Sequence, residues 1–171
     1  MAMTIQTHLF QNRLPLTCLT AAILLSATSG KADHGRGGHR HSVPFSMDAS
    51  ATTFNAPEFV GDHMFLDVFG TGSGTILGPF TFEAPHDFNL ANGTYVSDAY
   101  ITGACGDVLH VVTVGQFINA VDSVGTWTIE GGTGRFEDAT GSGTVVNLNF
   151  GAAIHFEGTI AGFDARGVHS R

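Results

Sequence analysis

The chain has 171 residues, 15 Asp plus Glu against 7 Lys plus Arg, and a formal net charge of −8 with its histidines neutral. That length covers about one domain. The acidic balance argues against nucleic acid and anionic membrane surfaces as partners, since both need clustered Lys or Arg.

Residues 1–32 read as a signal peptide. Arg13 precedes the apolar run Leu14 to Leu25, and small residues from Ser26 to Ala32 follow, with cleavage after Ala32 fitting best. The apolar run is about 12 residues long, short of the ~20 that span a bilayer, so no stable membrane insertion is expected. Pro15-Leu16-Thr17 ahead of Cys18 lacks the small residue of a lipid-attachment motif. Cleavage removes Cys18 and leaves Cys105 alone, so the secreted or periplasmic chain has no intramolecular disulfide. It keeps 15 acidic residues against five Arg and no Lys, a net charge near −10.

Residues 33–43 are polar and glycine-rich, a disordered leader. His34, His39 and His41 lie there, but histidines spaced by glycines lack the neighbours that fix a metal site, so a solubilising leader is the simpler reading. The folded domain then covers residues 44–171.

From Pro44 onward no window keeps a helical apolar period, whereas alternating and wholly apolar short runs recur. Eight strands are predicted: Ser50 to Ala56, Met64 to Thr75, Phe80 to Leu90, Thr94 to Ala104, Val108 to Asn119, Gly125 to Glu130, Gly143 to Phe150 and Ala152 to Gly162. Asn92-Gly93 is the signature of a type I′ hairpin, Cys105-Gly106-Asp107 a tight loop, Asp122 to Gly125 a hairpin loop and Gly151 a corner. Consecutive hairpins predict an all-β, eight-stranded antiparallel up-and-down barrel spanning about residues 48–165, with a β-sandwich as the alternative. Val108 to Ile118 is apolar on both faces, which predicts cover on its outer side from a partner subunit or the N-terminal segment. Thr71-Gly72-Ser73-Gly74-Thr75 and Thr140-Gly141-Ser142-Gly143-Thr144 are identical pentapeptides, expected at two equivalent corners.

The glycine-dense connection Gly131 to Thr144 reads as a turn plus bulge. It lacks the Gly-Lys-Ser/Thr ending of a phosphate loop, and no predicted helix follows it. No metal-ligand spacing, calcium loop or Gly-x-Ser-x-Gly elbow occurs, so neither a metal nor another cofactor is expected.

Alternation places Phe80, Phe82, Ala84, His86, Phe88 and Leu90 on one face, Trp127 and Ile129 on another strand, and Ile154, Phe156, Gly158 and Ile160 on a third. These faces are expected to meet inside the barrel. Phe80, Phe82, Phe88, Trp127, Ile129 and Phe156 are therefore the candidate ligand-binding residues. His86 is the ionisable group among them, the candidate for orienting a ligand or acting as acid or base. Its competing placement is near a rim in water, because Pro85 disturbs the strand.

Leu77-Gly78-Pro79-Phe80-Thr81, Gly103-Ala104-Cys105-Gly106-Asp107-Val108-Leu109 and the block Gly131-Gly132-Thr133-Gly134-Arg135-Phe136 through Ala139-Thr140-Gly141-Ser142-Gly143 carry a family resemblance. The chain resembles secreted bacterial relatives of the allene oxide cyclase barrel and, more loosely, the dirigent proteins. The resemblance implies a calycin-like barrel and a homotrimer. It does not carry over cyclase activity, because the family's substrate-positioning glutamate and water-holding residues have no counterpart between Ser50 and Phe69.

Two functions follow. One is a barrel that binds an apolar small molecule (a lipid, terpenoid, polyketide or phenolic) and steers its cyclisation, isomerisation or coupling without a cofactor. Its support is the load of 14 Phe with Trp127, Tyr95 and Tyr100. The other is a non-catalytic extracellular or envelope protein whose barrel those rings fill. A lumen of several hundred Å3 would favour the first, since ligand pockets run from ~300 to 1,000 Å3.

Overall fold

The computed structural model describes residues 41–164; the expected signal peptide and the expected leader as far as residue 40 lie outside them, as do residues 165–171. The strands are β1 (Val43–Phe54), β2 (Glu58–Val60), β3 (His63–Gly74), β4 (Gly78–Asn89), β5 (Thr94–Gly103), β6 (Val108–Phe117), β7 (Ser123–Gly132), β8 (Thr140–Leu148) and β9 (Ala153–Ala161). One 3-10 turn, Gly134–Phe136, lies between β7 and β8. Each strand pairs antiparallel with the next from β2 to β9, and β1 joins β9 on one side and β3 on the other. Eight strands thus close a barrel, and β2 is an extra strand paired to β3. A closed ring excludes the sandwich.

The ring closes through a strand that begins at Val43 rather than Ser50. The alternation of Val43, Phe45, Met47 and Ala49 packs against the core. Its signal is masked by Pro44 and by the polar leader that precedes it. The other corrections concern turns. The β4–β5 connection spans Leu90 to Gly93 and only Gly93 takes a positive φ, 70°, so it is a four-residue loop and not a type I′ hairpin. Leu90, expected inside, lies past the end of β4 and is exposed. The β6–β7 turn runs from Ile118 to Asp122, where the Asn119 side-chain oxygen accepts the Val121 and Asp122 amides at 2.8 Å each. An Asx turn there replaces the loop expected from Asp122 to Gly125.

The twin pentapeptides do not sit at corners. Most of the first and all of the second lie within β3 and β8. Gly72 faces the lumen, and a Cβ there would stand 2.5 Å from the Phe80 ring. At Gly143 it would stand 2.7 Å from Trp127 Cζ2. Both are flat patches of wall on which an aromatic ring of the adjoining strand lies.

The two ends of the barrel differ. At one end the turns β3–β4, β5–β6 and β7–β8 form a floor from the motifs Leu77 to Thr81, Gly103 to Leu109 and Gly131 to Gly143. Thr133 N–H donates to the Val108 carbonyl at 2.8 Å, and Val108 N–H donates to Thr133 Oγ1 at 3.0 Å. Phe136, in the 3-10 turn, is fully buried beside Leu77, Leu109 and Ile101, with the Arg135 guanidinium 4.7 Å above its ring. Arg135 Nε lies 3.5 Å from Asp107. The expected bulge is present: the β6–β7 register slips between His110 and Val111, beside Gly131 at φ 113°.

Gly134 has φ 58°, and a side chain there would run into the Asp107 carboxylate. Gly134→Val is expected to lower unfolding stability by about 1–3 kcal/mol in urea titrations. An unchanged midpoint would mean that the floor does not need this turn.

On β6, Leu109, Val111 and Thr113 point inward and are buried. The outer set is covered only in part, and Val114 is exposed. The expected outer cover is not supplied by any strand of the described residues.

Candidate ligand-binding site

At the other end the barrel is open. The lower lumen is filled by Trp127, Phe45, Ile129 and Phe136, but above them a cavity of about 160 Å3 extends to the mouth. Phe54 and Phe150 line it while remaining 48% and 60% exposed, so they stand on its rim. Phe150 holds φ 54°, unusual for a bulky residue. Its amide donates to the Val121 carbonyl at 2.8 Å, and the adjoining Asn149 amide donates to Asp122 Oδ1 at 2.8 Å, so the β6–β7 and β8–β9 loops fix this position together.

Of the candidate ligand-binding residues, Phe80, Phe82, Phe88 and Phe156 line the cavity. Trp127 and Ile129 do face the lumen, as their alternation predicted, but they pack below the cavity and support its base. The volume is smaller than typical ligand pockets and close to that of engineered apolar cavities that take up benzene. It suits a single ring or a short chain, or the buried end of a longer molecule that projects past Phe54 and Phe150.

His86 lines the cavity and is partly buried. Its ring stacks on Phe88 with centroids 5.2 Å apart, and Tyr95 packs at 6.0 Å. Nδ1 lies 2.7 Å from the Ala84 carbonyl, which can only accept, so Nδ1 carries the hydrogen and Nε2 is left as an acceptor. Burial lowers the imidazole pKa from its ordinary 6.5, opposed by the Ala84 hydrogen bond and by the charge of Asp67. Pro85 therefore does not push His86 into bulk water.

The unfolded chain protonates at this position more readily than the folded one. Stability should accordingly fall as pH drops below about 6.5. His86→Leu is expected to flatten that part of the profile. Parallel profiles for the variant and the parent between pH 7.5 and 5 would contradict the assignment.

The rest of the polar wall was not legible by alternation. Tyr95, Ser97, Thr113, Ser123 and Asn147 also line the cavity. The Tyr95 ring lies over Gly115, where a Cβ would stand 2.5 Å from it, and Asn147 Nδ2 donates to its hydroxyl at 3.3 Å across the lumen. His86 and Tyr95 are the titratable side chains of the lining, and no carboxylate joins them.

Glu83, Glu130, His155 and Glu157 are exposed. His63 and His155 pair with Asp87 at 2.6 Å and Asp48 at 2.7 Å, and His110 pairs with Asp98 while stacking on Tyr100. Cys105 is exposed in the β5–β6 turn. Among the described residues no three metal-ligating side chains converge, and no helix is long and apolar enough to cross a membrane.

No family model matches the chain, and neither a curated protein nor a solved structure matches it significantly.

Proposed function

We propose that the chain is a small-molecule-binding barrel that admits an apolar ligand through its open end. The observation that carries this reading is the cavity of about 160 Å3, lined by aromatic and aliphatic side chains with a few polar groups, above a filled floor. Ligand sites have this composition. The lipids, terpenoids, polyketides and phenolics expected as ligands belong to the same proposal, as does the family resemblance of the floor motifs. So does export after loss of residues 1–32. The exposed apolar outer face around Val96, Tyr100 and Val114 supports the homotrimer that the resemblance implies.

Steering of a cyclisation, isomerisation or coupling rests on shape, because the lining offers an imidazole and a phenol but no carboxylate. The competing reading, a structural barrel filled by its rings, draws on the filled floor and the modest volume.

Native mass spectrometry of protein purified from its source should reveal a retained apolar molecule. Ala99→Leu, which fills the cavity wall on β5, should lose that molecule without a lower melting temperature. A parent protein that carries nothing and takes up no ring compound would leave the structural barrel.

A further inference from the structure

The polar groups of the lumen are arranged, not scattered. His86 on β4 is directly opposite Ser97 on β5, and Ser97 is directly opposite Thr113 on β6. Opposed positions on adjacent strands lie about 4.5–5.5 Å apart, so the three side chains form one short row across the wall. The facing wall of β8, β9 and β1 presents Val145, Phe156 and Met47.

Ser97 and Thr113 are 3% and 4% exposed and line the cavity. Hydroxyls that line an otherwise apolar cavity offer hydrogen bonds to a polar group within it. His86 adds a directional element. Its Nδ1 hydrogen is spent on the Ala84 carbonyl, so the row offers an acceptor at Nε2 beside two hydroxyls that can donate or accept.

We infer that this row selects an uncharged ring compound bearing one hydroxyl, phenolic or alicyclic, whose O–H donates to His86 Nε2 and whose oxygen accepts from Ser97 or Thr113. The inference rests on the reading of the cavity as a ligand site and names the chemistry of its occupant. A ketone or ether of the same size accepts from the hydroxyls but leaves Nε2 unpaired. A hydrocarbon leaves the whole row unpaired. A carboxylate would be buried with no cation in the lining. The ring itself would lie against Val145, Phe156 and Met47.

Phenol and toluene, nearly equal in size, separate the two levels of the claim. Both are titrated into the full chain at pH 7.5 by calorimetry, and the ratio of their dissociation constants is compared between the parent and the Ser97→Ala/Thr113→Val double variant. The variant should bind toluene at least as well as the parent and should bind phenol more weakly, moving the ratio by roughly tenfold, as one lost hydrogen bond implies. A ratio unchanged within about twofold of the parent's overturns the hydroxyl assignment.

Should the double variant fail to fold, the parent protein still decides. The His86 Nε2 nitrogen resonance should shift on adding phenol and stay in place on adding toluene. Equal response to both probes, or none to phenol while toluene binds, overturns the proposed row and spares the cavity. Failure of both compounds to bind removes the ligand-site reading itself.

Discussion

Trp127→Ala is expected to destabilise the protein by about 3–5 kcal/mol, the range for deleting a large buried aromatic side chain. The ring is almost completely buried between Phe45, with centroids 5.5 Å apart, and Phe156 at 6.3 Å. Its indole N–H donates to the Thr144 carbonyl at 2.9 Å. Beneath it lie Gly143 and Gly158, which have no side chain to move into the space it leaves. The void would extend the cavity downward into the floor. Urea denaturation of both proteins gives the difference directly, and a loss below about 1 kcal/mol would mean that the wall collapses onto the gap.

Gly143→Val should produce the next largest loss, about 1–3 kcal/mol or more. Its Cβ would stand 2.7 Å from Trp127 Cζ2 and 2.7 Å from Gly158 Cα, and it would collide with the Glu157 carbonyl. The ring could shift, but the backbone of β9 is fixed by its pairing with β1 and β8. In a Trp127→Ala background the valine should therefore cost less but not vanish, with a coupling of about 0.5–3 kcal/mol in a double-mutant cycle. Strict additivity would show that the glycine does not serve the ring.

The pairing of glycine with an aromatic ring explains what sequence could and could not show. Strand number, antiparallel order and the glycine-rich β7–β8 connection were legible because each has a local signature: alternation, turn residues, close glycines. The inward face of β4 was legible for the same reason, since Phe80, Phe82, Ala84 and Phe88 stand against Thr81, Glu83, Pro85 and Asp87. On β5 the rule fails. The inward set is Tyr95, Ser97, Ala99 and Ile101, whereas Val96 and Tyr100 point outward and are exposed. Apolarity alone does not separate those two faces, so Ser97 escaped notice, as did Thr113 within the apolar run of β6.

The pentapeptides misled for a related reason. Glycine was read as a bend, but Gly72 and Gly143 are extended residues whose lack of a side chain makes room for a ring on the neighbouring strand. That information is non-local: Phe80 and Trp127 become the partners of these glycines only through the register. The first strand was placed late because its two buried anchors, Phe45 and Met47, follow a polar leader and a proline. The cavity depends on which inward positions carry small side chains at one level of the closed barrel, and no single strand reveals that.

The claim that the open lumen is a ligand site is tested most directly by following backbone amide resonances of the full chain during titration with toluene, a ring that the cavity can hold. The structure predicts saturable shifts concentrated on the cavity wall, at Ala84, Tyr95, Ser97, Thr113, Val145 and Phe156, with the floor around Thr133 to Phe136 unaffected. Shifts confined to the outer face near Tyr100 and Val114, or no saturable shift at all, would contradict it.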